Sequence, residues 1–167
     1  MSEYVRRMRD AIGTELLLVP SATVLLRDDA GRLLLVRHAD HGQWSLLGGA
    51  IDPGESPRDA AVRESLEEVG IDVALGEIVG ALGGHAYEVE YANGDRTGYV
   101  STVFDARVRS GELRPDGVEV TEARWFDDGE LQLADLHFFA RAALVELGMI
   151  EDVAGPVAPG DAARSPR

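Results

Sequence analysis

Residues 49–71 read GAIDPGESPRDAAVRESLEEVGI, and this stretch predicts a capped helix that follows a glycine-rich loop. Ser56 is suited to the N-cap, and Pro57 is suited to the first helical position. Asp59 then stands where the acidic residue of a capping box is found. Gly70 suits the position just after the last turn, where a left-handed backbone ends many helices.

Three glutamates lie on one face of this predicted helix. Glu64, Glu67 and Glu68 stand at positions i, i+3 and i+4, within about 100° of arc. Like charges at this spacing repel, and a hard divalent cation would remove the repulsion because Mg²⁺ prefers oxygen ligands. The glycine-rich loop ahead of the helix allows close backbone approach, so the segment favours phosphoryl chemistry on an anionic ligand. A merely solvated acidic face is the common alternative, and three glutamates alone would favour it.

The wider spacing decides between these alternatives, because it resembles the Nudix box, G-x5-E-x7-R-E-U-x-E-E-x-G-U, with U a bulky apolar residue. The matching positions are Gly49, Glu55, Arg63, Glu64, Glu67, Glu68, Gly70 and Ile71. Seven of these positions, all but Ile71, require one particular residue type, and seven such chance matches come to roughly 10⁻⁸ per starting position, which excludes coincidence. Ser65 stands at the first U position, where we expect a small change in local packing. Residues 42–49 also resemble the family's G-x-W-x-L-P-G-G segment, with Leu47 replacing the proline.

The resemblance, which covers residues 18–148, implies an α/β/α sandwich around a mixed sheet. It also implies hydrolysis of a pyrophosphate bond with Mg²⁺ or Mn²⁺. Carried over position by position, Glu64 and Glu68 would be the main metal ligands, and the carbonyl of Gly48 would complete the inner shell. Glu67 would be a further ligand or a base.

Two further pairs of residues have implied roles. Glu55 and Arg63 resemble the family's internal ion pair, which braces the loop against the helix without taking part in catalysis. Some family members use a glutamate from a later loop as the base, and Glu119 and Glu122 are the candidates here. Of these, Glu119 is the predicted catalytic residue, and exposed loop acids are the alternative interpretation of both.

The substrate-binding candidates are Arg37, Trp44 and Tyr87. Arg37 ends a predicted strand and could meet a phosphate, whereas Trp44 could stack on a base or pack within the loop. Tyr87 follows Ile71 at the spacing of the family's tyrosine marker for dinucleoside polyphosphates, although a strand tyrosine is usually structural. No proline stands at the spacing of the ADP-ribose marker.

The rest of the chain predicts alternating helices and strands, which place it in the α/β or α+β class with a mixed sheet. Helices are predicted over 2–12, from 57 to 69, and over 135–147. Strands are predicted over 21–27, 32–37, 71–82, 86–91, 97–108 and 122–126, with 38–55 as a loop and Asn93-Gly94 as a hairpin turn. The expected organisation is an N-terminal helical arm over 1–17, a catalytic domain over 18–148 and a disordered tail over 149–167.

Composition limits the partners of this protein. Its 167 residues carry a net charge of −14, which disfavours long nucleic acids but permits a small anion at a locally reversed field. The absence of cysteine excludes disulfides and thiolate metal sites. No apolar run is long enough to span a membrane and no signal-peptide region is present, so we expect a cytoplasmic protein.

These observations favour a metal-dependent pyrophosphohydrolase that acts on a small nucleoside diphosphate derivative. The candidate substrates are a dinucleoside polyphosphate, a nucleotide sugar, ADP-ribose or a nucleoside triphosphate. A non-catalytic nucleotide- or protein-binding module of the same fold is the alternative, and the presence of all four box glutamates argues against it. An isoprenoid diphosphate isomerase would need a cysteine. The amphipathic N-terminal arm could also form a homodimer.

Overall fold

The computed structural model describes residues 3–152, and within them a mixed β-sheet lies between helices on its two faces. The helices are α1 (Glu3–Ile12), α2 (Pro57–Val69), α3 (Asp128–Leu133) and α4 (Phe138–Glu146). The strands are β1 (Leu17–Arg27), β2 (Leu33–His38), β3 (Trp44–Ser45), β4 (Leu47–Ala50), β5 (Ile71–Leu82), β6 (Glu88–Glu90), β7 (Arg96–Gly111) and β8 (Val120–Phe126).

Strand β1 occupies the centre of the sheet. It runs parallel to β7 and antiparallel to β2 and β4, within the order β3-β2-β1-β7-β5. β8 pairs with β2, and β6 pairs with β7. The register pairs Ala22 with Gly49 and Thr23 with Gly48, so the glycines of the box lie against the central strand.

The two faces of the sheet carry separate hydrophobic clusters because successive side chains of a strand point to opposite sides. Val24 and Leu26 of β1 belong to the cluster under α2, whereas Leu25 belongs to the cluster under α4. The α2 cluster also includes Ala60, Ala61, Val69, Ile71 and Phe104, and the α4 cluster includes Trp44, Tyr87, Phe126 and Leu144. The box helix is therefore held against the middle of the sheet by apolar burial.

Most of the predicted elements are confirmed. The first hairpin turns where Asp28 accepts the amides of Ala30 and Arg32, and Gly94 closes the second turn onto the carbonyl of Tyr91. β5 has the predicted bounds, while β7 extends beyond its predicted ends to Arg96–Gly111. The predicted strand over 86–91 is shorter, because a 3₁₀ turn takes up His85–Tyr87.

The structure departs from the predicted local structure at three places. The segment 38–55, predicted as loop, contains β3 and β4, because the backbone of β3 pairs with β2 just before it and the backbone of β4 pairs with β1, farther back in the chain. α3 was not predicted, although Asp127 and Glu130 form a capping box at its start. The predicted final helix over 135–147 begins later, at Phe138.

The ends of the chain are described in part. The predicted N-terminal helix is present as α1, and Arg9 anchors it to the carbonyl of Arg96 (2.9 Å) and the hydroxyl of Thr97 (3.0 Å). Of the tail predicted over 149–167, Ile150 is buried against the α4 cluster, and residues 153–167 lie outside the described residues. None of the helices in residues 3–152 has the length and apolar character required to cross a membrane.

Candidate active site

The end of β4 and the middle of α2 lie side by side and form the centre of the candidate site. α2 begins where the sequence predicts, because the Ser56 hydroxyl accepts the amide of Asp59 and the Asp59 carboxylate accepts the amide of Ser56. It ends at Gly70, whose φ is 70°. These two ends determine which side chains face β4, and Glu64 and Glu68 are among them.

Glu68 is a buried carboxylate at the base of the site. Only 4% of the residue is exposed, and its Oε2 accepts the amide of Gly48 at 3.3 Å. Nε2 of His38 lies 3.8 Å from its Oε1. Burial raises the pKa of Glu68 well above its ordinary value, and the negative charge of Glu64 raises it further. The site therefore holds a carboxyl group whose ionisation is opposed until a positive charge arrives.

Both glycines of β4 lie so close to neighbouring groups that a side chain would collide with them. A Cβ atom on Gly49 would overlap the carboxylate of Glu64, and a Cβ atom on Gly48 would overlap the carbonyl oxygen of Ala22. Gly48 also has a φ of 135°, which side-chain-bearing residues rarely adopt. The absence of side chains here lets the helix carboxylates lie directly against the strand backbone.

Arg63 connects the loop, β4 and α2. Its guanidinium binds Glu55 through two hydrogen bonds of 2.8 and 2.9 Å and donates to the carbonyl of Ala50 at 3.0 Å. It also donates to Glu64 at 2.8 Å and to Glu67 at 3.0 Å. These hydrogen bonds raise the pKa of Arg63 and lower that of Glu55. The predicted ion pair between Glu55 and Arg63 is therefore present, and it holds the loop against the helix.

The donor atoms at the site fit a divalent cation. Burial raises the pKa of Glu64 as well as that of Glu68, so a cation beside these two carboxylates would favour their ionised forms. Mg²⁺ and Mn²⁺ prefer such oxygen ligands, and the carbonyl of Gly48 belongs to the residue that already binds Glu68. Glu67 differs, because its side chain is 61% exposed and turned to Arg63. Across residues 3–152, no three His, Asp or Glu side chains already surround a position for an ion.

Glu119 and Glu122 occupy different surroundings. The negative charge of Glu119 contributes to the raised pKa of both Glu64 and Glu68. Its carbonyl accepts the amide of Ala39 at 2.9 Å. Glu122 instead forms an ion pair with Arg37 at 3.5 Å, on the β2–β8 edge.

The structure does not bring two of the substrate-binding candidates into the site. Trp44 is 5% exposed, its ring packs edge-on against Phe126, and the guanidinium of Arg37 lies 4.5 Å above it. Tyr87 is 1% exposed in the α4 cluster, and its hydroxyl donates to Glu146 at 2.6 Å. Both aromatic residues therefore have the packing role that was the alternative interpretation. Arg37 covers Trp44 and pairs with Glu122.

Three histidines form a row that begins beside Glu68, and sequence reasoning did not identify it. The ring of His38 lies 5.4 Å from that of His41, which stacks at 4.0 Å on the ring of His137. Burial lowers the pKa of all three, and that of His137 falls to about 4. No spacing in the sequence links His137 to the other two, so only the folded chain reveals the row.

Comparisons with known proteins agree with this geometry. Residues 17–147 match the family model described as the NUDIX domain. The chain is 33% identical over 153 residues to a MutT-like protein of Streptomyces ambofaciens, an alignment that covers 92% of this chain and 89% of the relative. It is also 33% identical over 112 residues to a putative 8-oxo-dGTP diphosphatase of Bacillus subtilis, covering 67% and 68%.

A solved structure shares the same architecture. An ADP-ribose pyrophosphatase from Streptococcus suis superposes with a TM-score of 0.62 and 25% sequence identity, over 78% of this chain and 89% of that one. The family match covers most of the chain, and it includes the box glutamates, the two glycines of β4 and the mixed sheet. The chain belongs to the Nudix family of phosphoric anhydride hydrolases.

Proposed function

We propose that the protein is a metal-dependent pyrophosphohydrolase that cleaves the diphosphate bond of a small nucleoside diphosphate derivative. The observation that carries this proposal is the pair of neighbouring carboxylates, Glu64 and Glu68, whose pKa values are raised by burial beside the glycines of β4. Such a pair is stabilised by a divalent cation, and a cation there would attract a diphosphate.

Glu64, Glu68 and the carbonyl of Gly48 would hold Mg²⁺ or Mn²⁺, with Glu67 as a further ligand or base. A bound cation would supply neutralisation of phosphate charge and a more acidic water. Arg63 keeps the loop on the helix, so that Gly48 and Gly49 stay in contact with the carboxylates. Glu119, whose charge acts on both carboxylates, would accept the proton of the attacking water as a general base.

The substrate class is proposed at the level of a small molecule. Its candidates are nucleoside triphosphates, ADP-ribose, nucleotide sugars and dinucleoside polyphosphates. The relatives named for 8-oxo-dGTP and ADP-ribose support the first two. The core position of Tyr87 removes the residue that had favoured dinucleoside polyphosphates.

The test is a hydrolysis screen of the purified protein against these four classes, with Mg²⁺ and with Mn²⁺. We expect release of a nucleoside monophosphate that ceases when the divalent cation is chelated. Glu68→Gln should abolish turnover and also the rise in Tm that Mg²⁺ causes in the wild type, because it removes a buried ligand. The matched control is Glu77→Gln, at an exposed glutamate of β5, which should behave as the wild type.

Wild-type turnover by Glu68→Gln would contradict the proposed site. No cleavage of any of the four classes, with nucleotide binding retained, would instead indicate a non-catalytic binding module. The rise in Tm keeps these outcomes separable, because it reports cation binding without requiring the right substrate.

A further inference from the structure

The loop over residues 112–119, between β7 and β8, is attached to the end of α2 through its backbone. The amide of Arg114 donates to the carbonyl of Val69 at 2.9 Å, and the amide of Asp116 donates to the carbonyl of Glu68 at 3.1 Å. These carbonyls belong to the last turn of the helix, where no further helical amide is available to bind them. The loop is therefore attached to the backbone of Glu68, the residue at the base of the candidate site.

Within this loop, the Asp116 carboxylate collects the amides that follow it. Its Oδ1 accepts from Val118 at 3.0 Å, from Glu119 at 3.1 Å and from Val120 at 2.8 Å, and its Oδ2 accepts from Glu119 at 3.2 Å. The amide of Gly117 donates to the carbonyl of Val120 at 2.9 Å, which closes the turn. Hydrogen bonds of this kind set the local backbone path of a loop.

Glu119 lies in this turn, and its backbone is held on both sides. The Glu119 carbonyl accepts the amide of Ala39, which ties this end of the turn to the segment after β2. The charge of its carboxylate acts on both Glu64 and Glu68. The loop is thus held at α2 by Asp116 and at the segment after β2 by Glu119.

We propose that Asp116 is a positioning residue, whose carboxylate holds the turn that presents Glu119 to the reacting water. The inference rests on the proposed function, in which Glu119 accepts the proton of that water. Its basis is the set of hydrogen bonds from one carboxylate to three successive amides, together with the anchoring of both ends of the turn.

Asparagine and alanine at position 116 separate the hydrogen bonds from the charge. Asparagine keeps an oxygen where Oδ1 now accepts three amides, and it loses the charge and the second contact with Glu119. Alanine loses every one of these bonds. If hydrogen bonding is the function of Asp116, Asp116→Asn should resemble the wild type and Asp116→Ala should not.

The experiment measures kcat and KM for the best substrate of the screen. We expect Asp116→Ala to lower kcat about ten- to a hundredfold, because a small displacement of a catalytic group has that effect. KM should change by less than about threefold, since substrate binding is untouched. Asp116→Asn should stay within about threefold of the wild type in both constants. Glu119→Gln should lower kcat by about a hundredfold or more.

A double variant tests whether the two residues act together. In the Glu119→Gln background, Asp116→Ala should cause no further loss of kcat, because its effect is exerted through Glu119. Amide hydrogen exchange supplies a reading that does not depend on turnover. Val118, Glu119 and Val120 should be protected in the wild type and in Asp116→Asn, and they should exchange faster in Asp116→Ala.

Several outcomes would overturn the inference while leaving the proposed function standing. One is an equal loss in Asp116→Asn and Asp116→Ala, which would assign the effect to charge. Another is an additive loss in the double variant, and a third is wild-type kcat in Asp116→Ala. Wild-type kcat in Glu119→Gln would overturn the inference together with the role of Glu119 as the base, while the hydrolysis itself would stand. Failure of the proposed function is distinguishable, because the wild type itself would then hydrolyse nothing while the exchange pattern still reports the turn.

Discussion

Gly48 and Gly49 are adjacent in β4, yet a methyl group would meet a different obstacle at each. At Gly49 the obstacle is the carboxylate of Glu64, the end of a side chain that is able to move. At Gly48 it is the backbone oxygen of Ala22 in the central strand, and the φ of 135° adds strain. Gly49 therefore preserves the position of the Glu64 carboxylate, and Gly48 preserves the pairing of β4 with β1.

This difference predicts separate effects of alanine at the two positions. Gly49→Ala should lower the free energy of unfolding by less than about 1 kcal/mol. It should lower kcat by about tenfold or more, because it displaces Glu64. Gly48→Ala should lower the free energy of unfolding by roughly 2 kcal/mol or more. Urea denaturation and initial rates measure the two quantities, and wild-type kcat in Gly49→Ala would show that the position of Glu64 is not required.

The sequence predicted the part of the site that α2 and the loop before it contribute. The resemblance to the Nudix box implied the ion pair between Glu55 and Arg63, and both residues belong to the same local segment. Asp116 and His137 were missed because they reach the site from loops far along the chain. The burial of Trp44 and Tyr87 was not visible either, since it depends on α4 and β8 packing over them.

At the scale of elements, α2 contains the departure from the Nudix box. Ser65 occupies the position of a bulky apolar residue, and it is fully buried in the structure. Its hydroxyl donates to the carbonyl of Ala61 at 2.7 Å, one turn earlier in the same helix. The helix therefore packs closely at this position with a small side chain whose polar atom is satisfied internally.

We accordingly expect the residue typical of the family to be unfavourable at position 65. Ser65→Leu should lower the free energy of unfolding by about 1–3 kcal/mol, because no exposed space is available for the added atoms. Ser65→Ala should change it by less than about 1 kcal/mol, since the lost hydrogen bond is offset by better helix propensity. Thermal and urea unfolding measure both, with Leu66→Ala at the exposed neighbouring position as the control. A stabilised Ser65→Leu would contradict the close packing inferred here.

Elements were predictable from sequence when their signals were local. The caps of α2 and the Asn93-Gly94 turn each lie within a few residues, and both are present. β3 and β4 have two and four residues, and they exist only because β2 and β1 supply their hydrogen bonds. The capping box at Asp127 was a readable signal for α3, but the helix it starts has six residues.

At the scale of the whole molecule, two layers share one sheet and have different roles. The α2 side holds the carboxylates, whereas the α4 side is filled by aromatic and leucine side chains. The chain carries a net charge of −14, and a surface of this sign would repel an extended polyanion. A small substrate is exposed mainly to the local field of the site.

This charge predicts how the protein treats long nucleic acids. A long 5′-triphosphorylated RNA should compete poorly with a small substrate, and its kcat/KM should rise with NaCl. Raising NaCl from about 10 to about 100 mM shortens the screening distance from about 30 to about 10 Å, which weakens the repulsion. Competition assays at a fixed Mg²⁺ concentration measure this effect. Tight RNA binding that NaCl weakens would instead indicate a cationic binding surface.

The guanidinium of Arg63 has a consequence for how a cation would load. One nitrogen of Arg63 already donates to both Glu64 and Glu67. A divalent cation that binds Glu64 and Glu67 would therefore have to replace the guanidinium of Arg63 as their positively charged partner. The measured affinity for the cation is then the difference between its contacts with the carboxylates and those of Arg63. A side chain that binds the carboxylates more weakly than Arg63 does would increase that affinity. Arg63, which holds the loop against the helix, would therefore also determine the metal concentration at which the protein becomes active.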